Sequence, residues 1–452
     1  MIGLPRGDGL KARLIRSSGL TVIGYGSSQV LRLASNLILT RLLFPEAFGM
    51  MVLVSVFMMG LVMFSDLGIG PSIMQSKRGD DPDFLDTAWT LQVIRGPVLW
   101  VIAVILAWPM AWFYEAPELL FLLPVASLNL VIMALNPTRA ETAKRHLMLG
   151  RLTAIDISIQ VIGIISAVLL AWWLQSVWAL VLSGLISTAA QLILYNIYLP
   201  GQKNRFRLEK AAVHELIHFG KWIFLSTIAG FSLGQGDKLI LGKYLSLDQL
   251  GVYNIGYFLA SFPLLLGGVV INKVLIPIYR EKPPAASPEN FRKLQKMRFT
   301  LTSLIFTLVL VLALSGVWLV DLFYDPRYIA AGAVVVLVAI VQMPQIIVLT
   351  YDQAALASGD SKRFFMLAAA RAVLMIVGLL TGVQLLGLPG ALIAQGIAML
   401  LAYPVVVWLA RKQGAWDPLH DAVFFALGLL IAALAIWLNG AAVGDLVAFK
   451  LP

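Results

Sequence analysis

The residues with chemistry in them are the charges that interrupt long apolar stretches: Arg32, Asp66, Arg95, Asp156, Lys273, Asp352 and Arg371. A charge in hydrocarbon costs about 2.5–3.5 kcal/mol on insertion scales, so it is kept for a partner or a ligand. Counted inward from the ends of their stretches, Arg32, Asp66, Arg95 and Arg371 lie nearest the middle, and three guanidinium groups there meet one carboxylate. A surplus of buried cations asks for an anion, and the planar, two-pronged guanidinium suits a phosphate. Lys273 lies nearer one mouth, as do Asp156 and Asp352. Asp66 has a structural reading as well, as the neutralising partner of Arg32 or Arg95. Uncharged groups such as Asn36, Gln92, Gln160, Gln235 and Asn254 accompany the charges. Taken singly, each of these is first an interhelical hydrogen bond.

A second pattern is His214-Glu215-Leu216-Ile217-His218. It matches the H-E-x-x-H arrangement in which two imidazoles hold zinc and the glutamate activates a water. No third ligand follows at the spacing of the common zinc proteases. Lys210, His214, His218 and Lys221 also fall on one helical stripe, the pattern of a solvated face with Leu216, Ile217 and Phe219 turned inward. The stripe is preferred, so no metal and no catalytic residue is expected. There is no Gly-x-x-x-x-Gly-Lys-Ser/Thr stretch for a nucleotide. The absence of cysteine excludes disulfides and thiolate metal sites.

The elements that must position these residues are membrane helices. The chain is 60% hydrophobic and 13% charged, with a mean hydropathy of +0.86. Continuous apolar runs of about 20 residues, long enough to cross about 30 Å of hydrocarbon, recur from end to end. The spans fall at about 19–43, 47–75, 86–112, 118–138, 152–174 and 177–199. Six more follow at about 219–245, 249–279, 298–322, 329–357, 364–386 and 388–410, with a last one at about 421–440. Most of the 34 lysines and arginines sit in alternate loops, on the side of the N-terminus, including 200–221, 280–298 and 411–420. By the positive-inside rule that side is the cytoplasm. The +10 net charge is thereby explained without nucleic acid.

The stretch around Leu37-Ile38-Leu39-Thr40-Arg41-Leu42-Leu43 recurs as Leu239-Ile240-Leu241-Gly242-Lys243-Tyr244-Leu245. At the same offset Glu46 becomes Asp248 and Gly49 becomes Gly251. Two related halves of six spans each are expected, both entering the membrane from the same side. The organisation is then a basic cytoplasmic N-terminus (1–18), an N-lobe (19–199), a cytoplasmic linker (200–220), a C-lobe (221–410) and an extension with one span (411–452). Asn36 falls on Lys238, but Arg32 falls on Gly234 and Asp66 on Gly268. The charges are not duplicated with the scaffold, so a lopsided site is expected, with more anion binding in the first half.

The run Asn36 to Gly49, then Ser65-Asp66-Leu67-Gly68-Ile69-Gly70-Pro71, resembles the start of Wzx-type polysaccharide flippases. So do Gly236-Asp237-Lys238-Leu239 and Gly251-Val252-Tyr253-Asn254, and the likeness covers roughly residues 15 to 410. The resemblance implies a non-enzymatic transporter with two six-helix lobes, of the superfamily that includes the MATE exporters. It implies an undecaprenyl-diphosphate-linked oligosaccharide as cargo, carried from the cytoplasmic to the periplasmic leaflet of the bacterial inner membrane. Arg32, Arg95, Arg371 and Lys273 are then expected at the diphosphate, with Asn36, Asp66, Lys238, Tyr253 and Asn254 as polar partners. Expected partners are the lipid bilayer and proteins of polysaccharide polymerisation or assembly, around a monomer without cofactors. Three readings stand beside it: a MATE-like cation-coupled exporter, which should carry a surplus of acidic cavity residues, an intramembrane zinc protease and a non-transporting assembly scaffold.

Overall fold

The computed structural model describes residues 10–66, 68–357 and 361–446, and some side chains within helices, that of Lys273 among them, also lie outside the described set. Among the described residues the chain is helical, without a β-strand. The helices are α1 (Leu10–Leu42), α2 (Pro45–Phe64), α3 (Ile69–Gln75), α4 (Pro82–Phe113), α5 (Leu119–Ala126) and α6 (Leu128–Ala134). Then come α7 (Arg139–Arg145), α8 (Leu149–Leu174), α9 (Trp178–Tyr198), α10 (Lys210–Tyr244), α11 (Leu247–Ala260) and α12 (Phe262–Glu281). The last are α13 (Pro288–Phe323), α14 (Ala331–Val341), α15 (Met343–Ala357), α16 (Ser361–Lys412) and α17 (Pro418–Asp445).

Helix starts follow from local chemistry. Pro45 opens α2, where its missing N–H costs nothing, and Glu46 sits in the first turn against the helix dipole. α11 opens with a capping box, in which the Ser246 hydroxyl accepts from the Gln249 N–H and the Gln249 side chain accepts from the Ser246 N–H, both at 3.2 Å. These two starts are the positions that the sequence repeat pairs.

Seven described helices are long and apolar enough to cross a membrane, and three bent pairs bring the number to ten. The bent pairs are α5–α6 with α7, α11 with α12, and α14 with α15. α16 leaves helical geometry at Leu386 and Gly387, where Gly387 takes the left-handed φ of 63°. Its two arms approach so closely there that a Cβ on Gly390 would collide with the Gly382 carbonyl oxygen. α16 therefore supplies two of the expected spans, and α1 and α10 stand where the first span of each expected half falls. One expected span needs correction. The stretch 47–75 is broken after Phe64, because the Asp66 carboxylate accepts from the Gly68 N–H at 2.9 Å and Gly68 is left-handed. This turn takes Asp66 out of a helix interior.

The chain divides into two compact units, Met1–Ile228 and Ala229–Pro452. In the first, α8 packs against α1 and α9, and α4 against α5 and α6. The segment before α10 is bound to this unit rather than left as a free spacer. It runs extended, so alternate N–H groups face one way, and those of Arg205, Arg207 and Glu209 are accepted by Asp86, Thr90 and Thr87 of α4. Arg78 binds both Asp81 and Glu209 and holds the Asp81 carboxyl below the usual carboxylate range.

In the second unit α14 is the central helix, with Ala331 to Ala339 all buried and α11, α13, α16 and α17 against it. α17 is built into this unit, not appended to it. Its Asp421 carboxylate accepts from Tyr351 of α15 at 2.8 Å and Tyr403 of α16 at 2.7 Å, and pairs with His420 at 3.0 Å. His420 reaches Thr302 of α13 through its other ring nitrogen at 3.0 Å. Arg298, expected in a solvated loop, is fully buried: it donates to Tyr279 at 2.6 Å and to the Ala415 carbonyl, and stacks over Tyr351 at 4.5 Å. These contacts satisfy most of the polar groups buried here, and Nε of Arg298 is left without a partner among the described residues.

Candidate functional site

In the first unit a cavity of about 260 Å³ lies between α4, α6, α7 and α9. Arg95 and Gln92 of α4 line it, with Asn136, Lys144 and Tyr195. Arg95 is where α4 meets the end of α2. Its Nε and Nη2 donate to the Ser65 hydroxyl at 3.0 and 2.8 Å, and Nη2 donates also to the Val62 carbonyl at 2.7 Å. The last turn of α2 leaves carbonyls unpaired and carries partial negative charge, so a guanidinium there is stabilising. Nη1 has no protein partner among the described residues. Arg95 is thus fixed by one edge, with one donor group left over beside the cavity.

Among the described residues no ion pair joins Asp66 to Arg95. The Asp66 carboxylate accepts in the turn at Gly68 and bears on Arg95 through its charge alone, while the hydrogen bonds of Arg95 go to a hydroxyl and a carbonyl. Lys144 at the cavity rim pairs with Glu141 at 2.8 Å. Tyr195 donates to Asp156 at 2.8 Å. The expected interhelical bonds are present: Gln92 caps the Ala134 carbonyl at the end of α6, and Gln160 exchanges hydrogen bonds with Ser28 of α1. Arg32 lies exposed on α1, and Asn36 follows one turn later, its carbonyl accepting from Thr40.

The second unit holds the other expected residues in two places. Arg371 of α16 donates from Nη1 to Asp352 of α15 at 2.7 Å, with both side chains nearly buried. The charge is therefore balanced inside the unit, which sequence reasoning did not foresee. Nε and Nη2 of Arg371 and Oδ1 of Asp352 are buried without a partner among the described residues. Lys238 of α10 donates to Gln235 at 3.2 Å and lies over the Tyr257 ring at 5.6 Å. Tyr253, fully buried on α11, donates to Asp237, which is 2% exposed. Asn254 is half-buried beside it on α11. Asp237 was passed over, although it adjoins Lys238 in an apolar stretch and the same cost argument applies to it. The side chain of Lys273 lies outside the described residues.

Of the two histidines and the glutamate of the zinc pattern, only His214 and Glu215 have described side chains. Glu215 accepts from Ser76 at 2.7 Å, and no cluster of three metal-binding side chains occurs among the described residues. Leu216 is buried as expected, but Ile217 is 52% exposed, a correction to its expected inward position. The side chains of His218, Phe219 and Lys221 lie outside the described residues.

The fold is similar to that of solved membrane transporters, one of them of the MOP superfamily. The lipid II flippase MurJ, in its inward closed conformation, matches 92% of this chain and 97% of its own at a TM-score of 0.67 and 12% identity. An inward-facing multidrug resistance transporter of the MATE family matches 86% of this chain and 95% of its own, at 0.62 and 14%. The chain belongs to the polysaccharide biosynthesis protein family, whose model matches residues 38–331. Among curated relatives, the amylovoran biosynthesis protein AmsL of Erwinia amylovora is 28% identical over 265 residues, 57% of this chain and 66% of AmsL. The lipopolysaccharide biosynthesis protein WzxC of Escherichia coli is 24% identical over 263 residues, 57% of this chain and 51% of WzxC. The chain thus spans less than two thirds of either relative.

Proposed function

We propose that this protein flips an undecaprenyl-diphosphate-linked oligosaccharide from the cytoplasmic to the periplasmic leaflet of a bacterial inner membrane. Two six-helix lobes rock to expose the cargo to each side in turn, as parallel repeats can. The observation that carries this reading is Arg95: a cation in an apolar helix, lining a cavity, with one donor group not taken up by protein among the described residues. Membership of a polysaccharide biosynthesis family supplies the class of cargo. Arg95 and Arg32 hold the diphosphate, Lys273 meets it near the cytoplasmic mouth, and Asn254 lies along the path of the sugar. A potential negative inside favours outward movement of an anion by about 2.3 kcal/mol per charge per 100 mV. The protein acts as a monomer beside a polymerase, with its N-terminus in the cytoplasm.

A cation-coupled exporter of small molecules has one observation in its favour, the buried Asp237 carboxylate of the second unit. Expression in a strain lacking its own flippase separates the two. Restored polymer export, lost in Arg95→Gln at normal membrane level, supports flipping. Drug resistance without export supports the exporter, and full export by Arg95→Gln removes Arg95 from the site.

A further inference from the structure

A second recess, of about 670 Å³, opens in the second unit at the end of α16. Pro404, Val407, Trp408 and Arg411 share one face of α16 by their i, i+3, i+4 and i+7 spacing. Lys412 and Trp416 complete the recess, Trp416 from the turn that leads into α17. The guanidinium of Arg411 stacks on the Trp416 ring at 4.0 Å. Trp408 carries a second guanidinium, that of Arg363, at 5.8 Å from its centroid. Neither Arg411 nor Lys412 has a carboxylate partner among the described residues. Two buried acids adjoin the recess: Asp421 is already taken by Tyr351, Tyr403 and His420, and Asp417 accepts from the His420 N–H through one oxygen, the other having no partner among the described residues.

We propose that this recess binds an anionic phospholipid of the cytoplasmic leaflet, with the lipid phosphate between Arg411 and Lys412. A guanidinium stacked on an indole keeps its N–H edge free, in the geometry that accepts a phosphate in two-pronged fashion. Pro404 and Val407 continue the recess as an apolar wall, which suits the first part of an acyl chain rather than a free ion. Tryptophans and basic residues at a span end mark the headgroup level. The assignment to the cytoplasmic leaflet rests on the topology read from the distribution of lysine and arginine. The recess is separate from the residues proposed for the cargo, so failure here leaves the flippase reading untouched.

The test uses the full-length protein, purified and stripped of native lipid, in neutral detergent. Protection against thermal unfolding is titrated with dioleoyl phosphatidylglycerol, dioleoyl phosphatidylcholine and inorganic phosphate. The expected result is at least tenfold tighter apparent binding of phosphatidylglycerol than of phosphatidylcholine, and no protection by inorganic phosphate at matched concentration. Arg411→Gln with Lys412→Gln should remove the preference while leaving unfolding in phosphatidylcholine unchanged. If that double variant does not fold, Lys412→Gln alone should weaken phosphatidylglycerol at least threefold. Equal protection by both lipids, full protection by inorganic phosphate, or an unchanged preference in the folded variant overturns the proposal.

Discussion

Arg371 and Asp352 offer the sharpest separation of structural from functional charge. The pair is nearly buried, at 10% and 14% side-chain exposure, and joined by one contact of 2.7 Å. Removing one partner of such a pair strands the other, at a cost of about 3–5 kcal/mol. Arg371→Met leaves a carboxylate and Asp352→Leu leaves a guanidinium that cannot lose its proton, so both should be severe. The pair is also poorly satisfied, since Nε and Nη2 of Arg371 and Oδ1 of Asp352 lack partners among the described residues. Replacing both by apolar residues should therefore bring stability back to within about 1–2 kcal/mol of the parent. For a unit of this size roughly 2–4 °C of melting temperature corresponds to 1 kcal/mol, so each single change should lose about 6–20 °C. Thermal unfolding of the purified variants in one detergent measures all four corners of the cycle. Additive losses, with a coupling under about 0.5 kcal/mol, would refute the pairing argument. The restored double variant also reports function. Export at the parent level makes Arg371 structural, and lost export at normal stability puts its free nitrogens on the cargo.

Three further expectations concern groups that are not proposed to touch the cargo. Glu215→Gln should keep protein level and export within twofold of the parent, because an amide oxygen still accepts the Ser76 hydroxyl that now reaches Glu215. Abolished activity at normal level, together with one zinc per chain, would revive the metal site. Asp421→Asn weakens a carboxylate that Tyr351, Tyr403 and His420 address together, and should cost about 2–4 kcal/mol by thermal unfolding. Tyr403→Phe, which removes one of those donors, should cost about 1 kcal/mol. Unchanged unfolding in Asp421→Asn would mean that α17 is not held in the second unit through this network.

What was legible in the sequence was what hydrocarbon enforces. Continuous apolar runs read as spans because backbone groups in lipid must be satisfied within a helix. The boundary expected between spans 364–386 and 388–410 falls where α16 leaves helical geometry, at Leu386 and Gly387. The break at Asp66 was missed, because an aspartate in an apolar stretch was read as a buried charge when its carboxylate serves a local turn. Arg298 was missed for the opposite reason. A basic residue at the edge of a charged loop looks solvated, and only tertiary structure brings Tyr279, Tyr351 and the Ala415 carbonyl around it. Arg95 shows the same limit in milder form. Its presence inside a span was plain, but its attachment to Ser65 and Val62 depends on how α4 crosses the end of α2. Balanced pairs such as Arg371 with Asp352 stay hidden when depth is counted along each span separately, since the two helices need not be in register.

The most direct test of the flipping proposal is the sidedness of the lipid itself. Purified protein is reconstituted into vesicles with a fluorescent polyprenyl-diphosphate-linked oligosaccharide in both leaflets, and a membrane-impermeant quencher is added outside. If the protein flips this lipid, vesicles that contain it should lose nearly all fluorescence, whereas protein-free vesicles and those with Arg95→Gln should stop near half. Quenching that stops near half in vesicles with the parent protein would contradict the proposed function, and quenching by Arg95→Gln equal to the parent would remove Arg95 from the path.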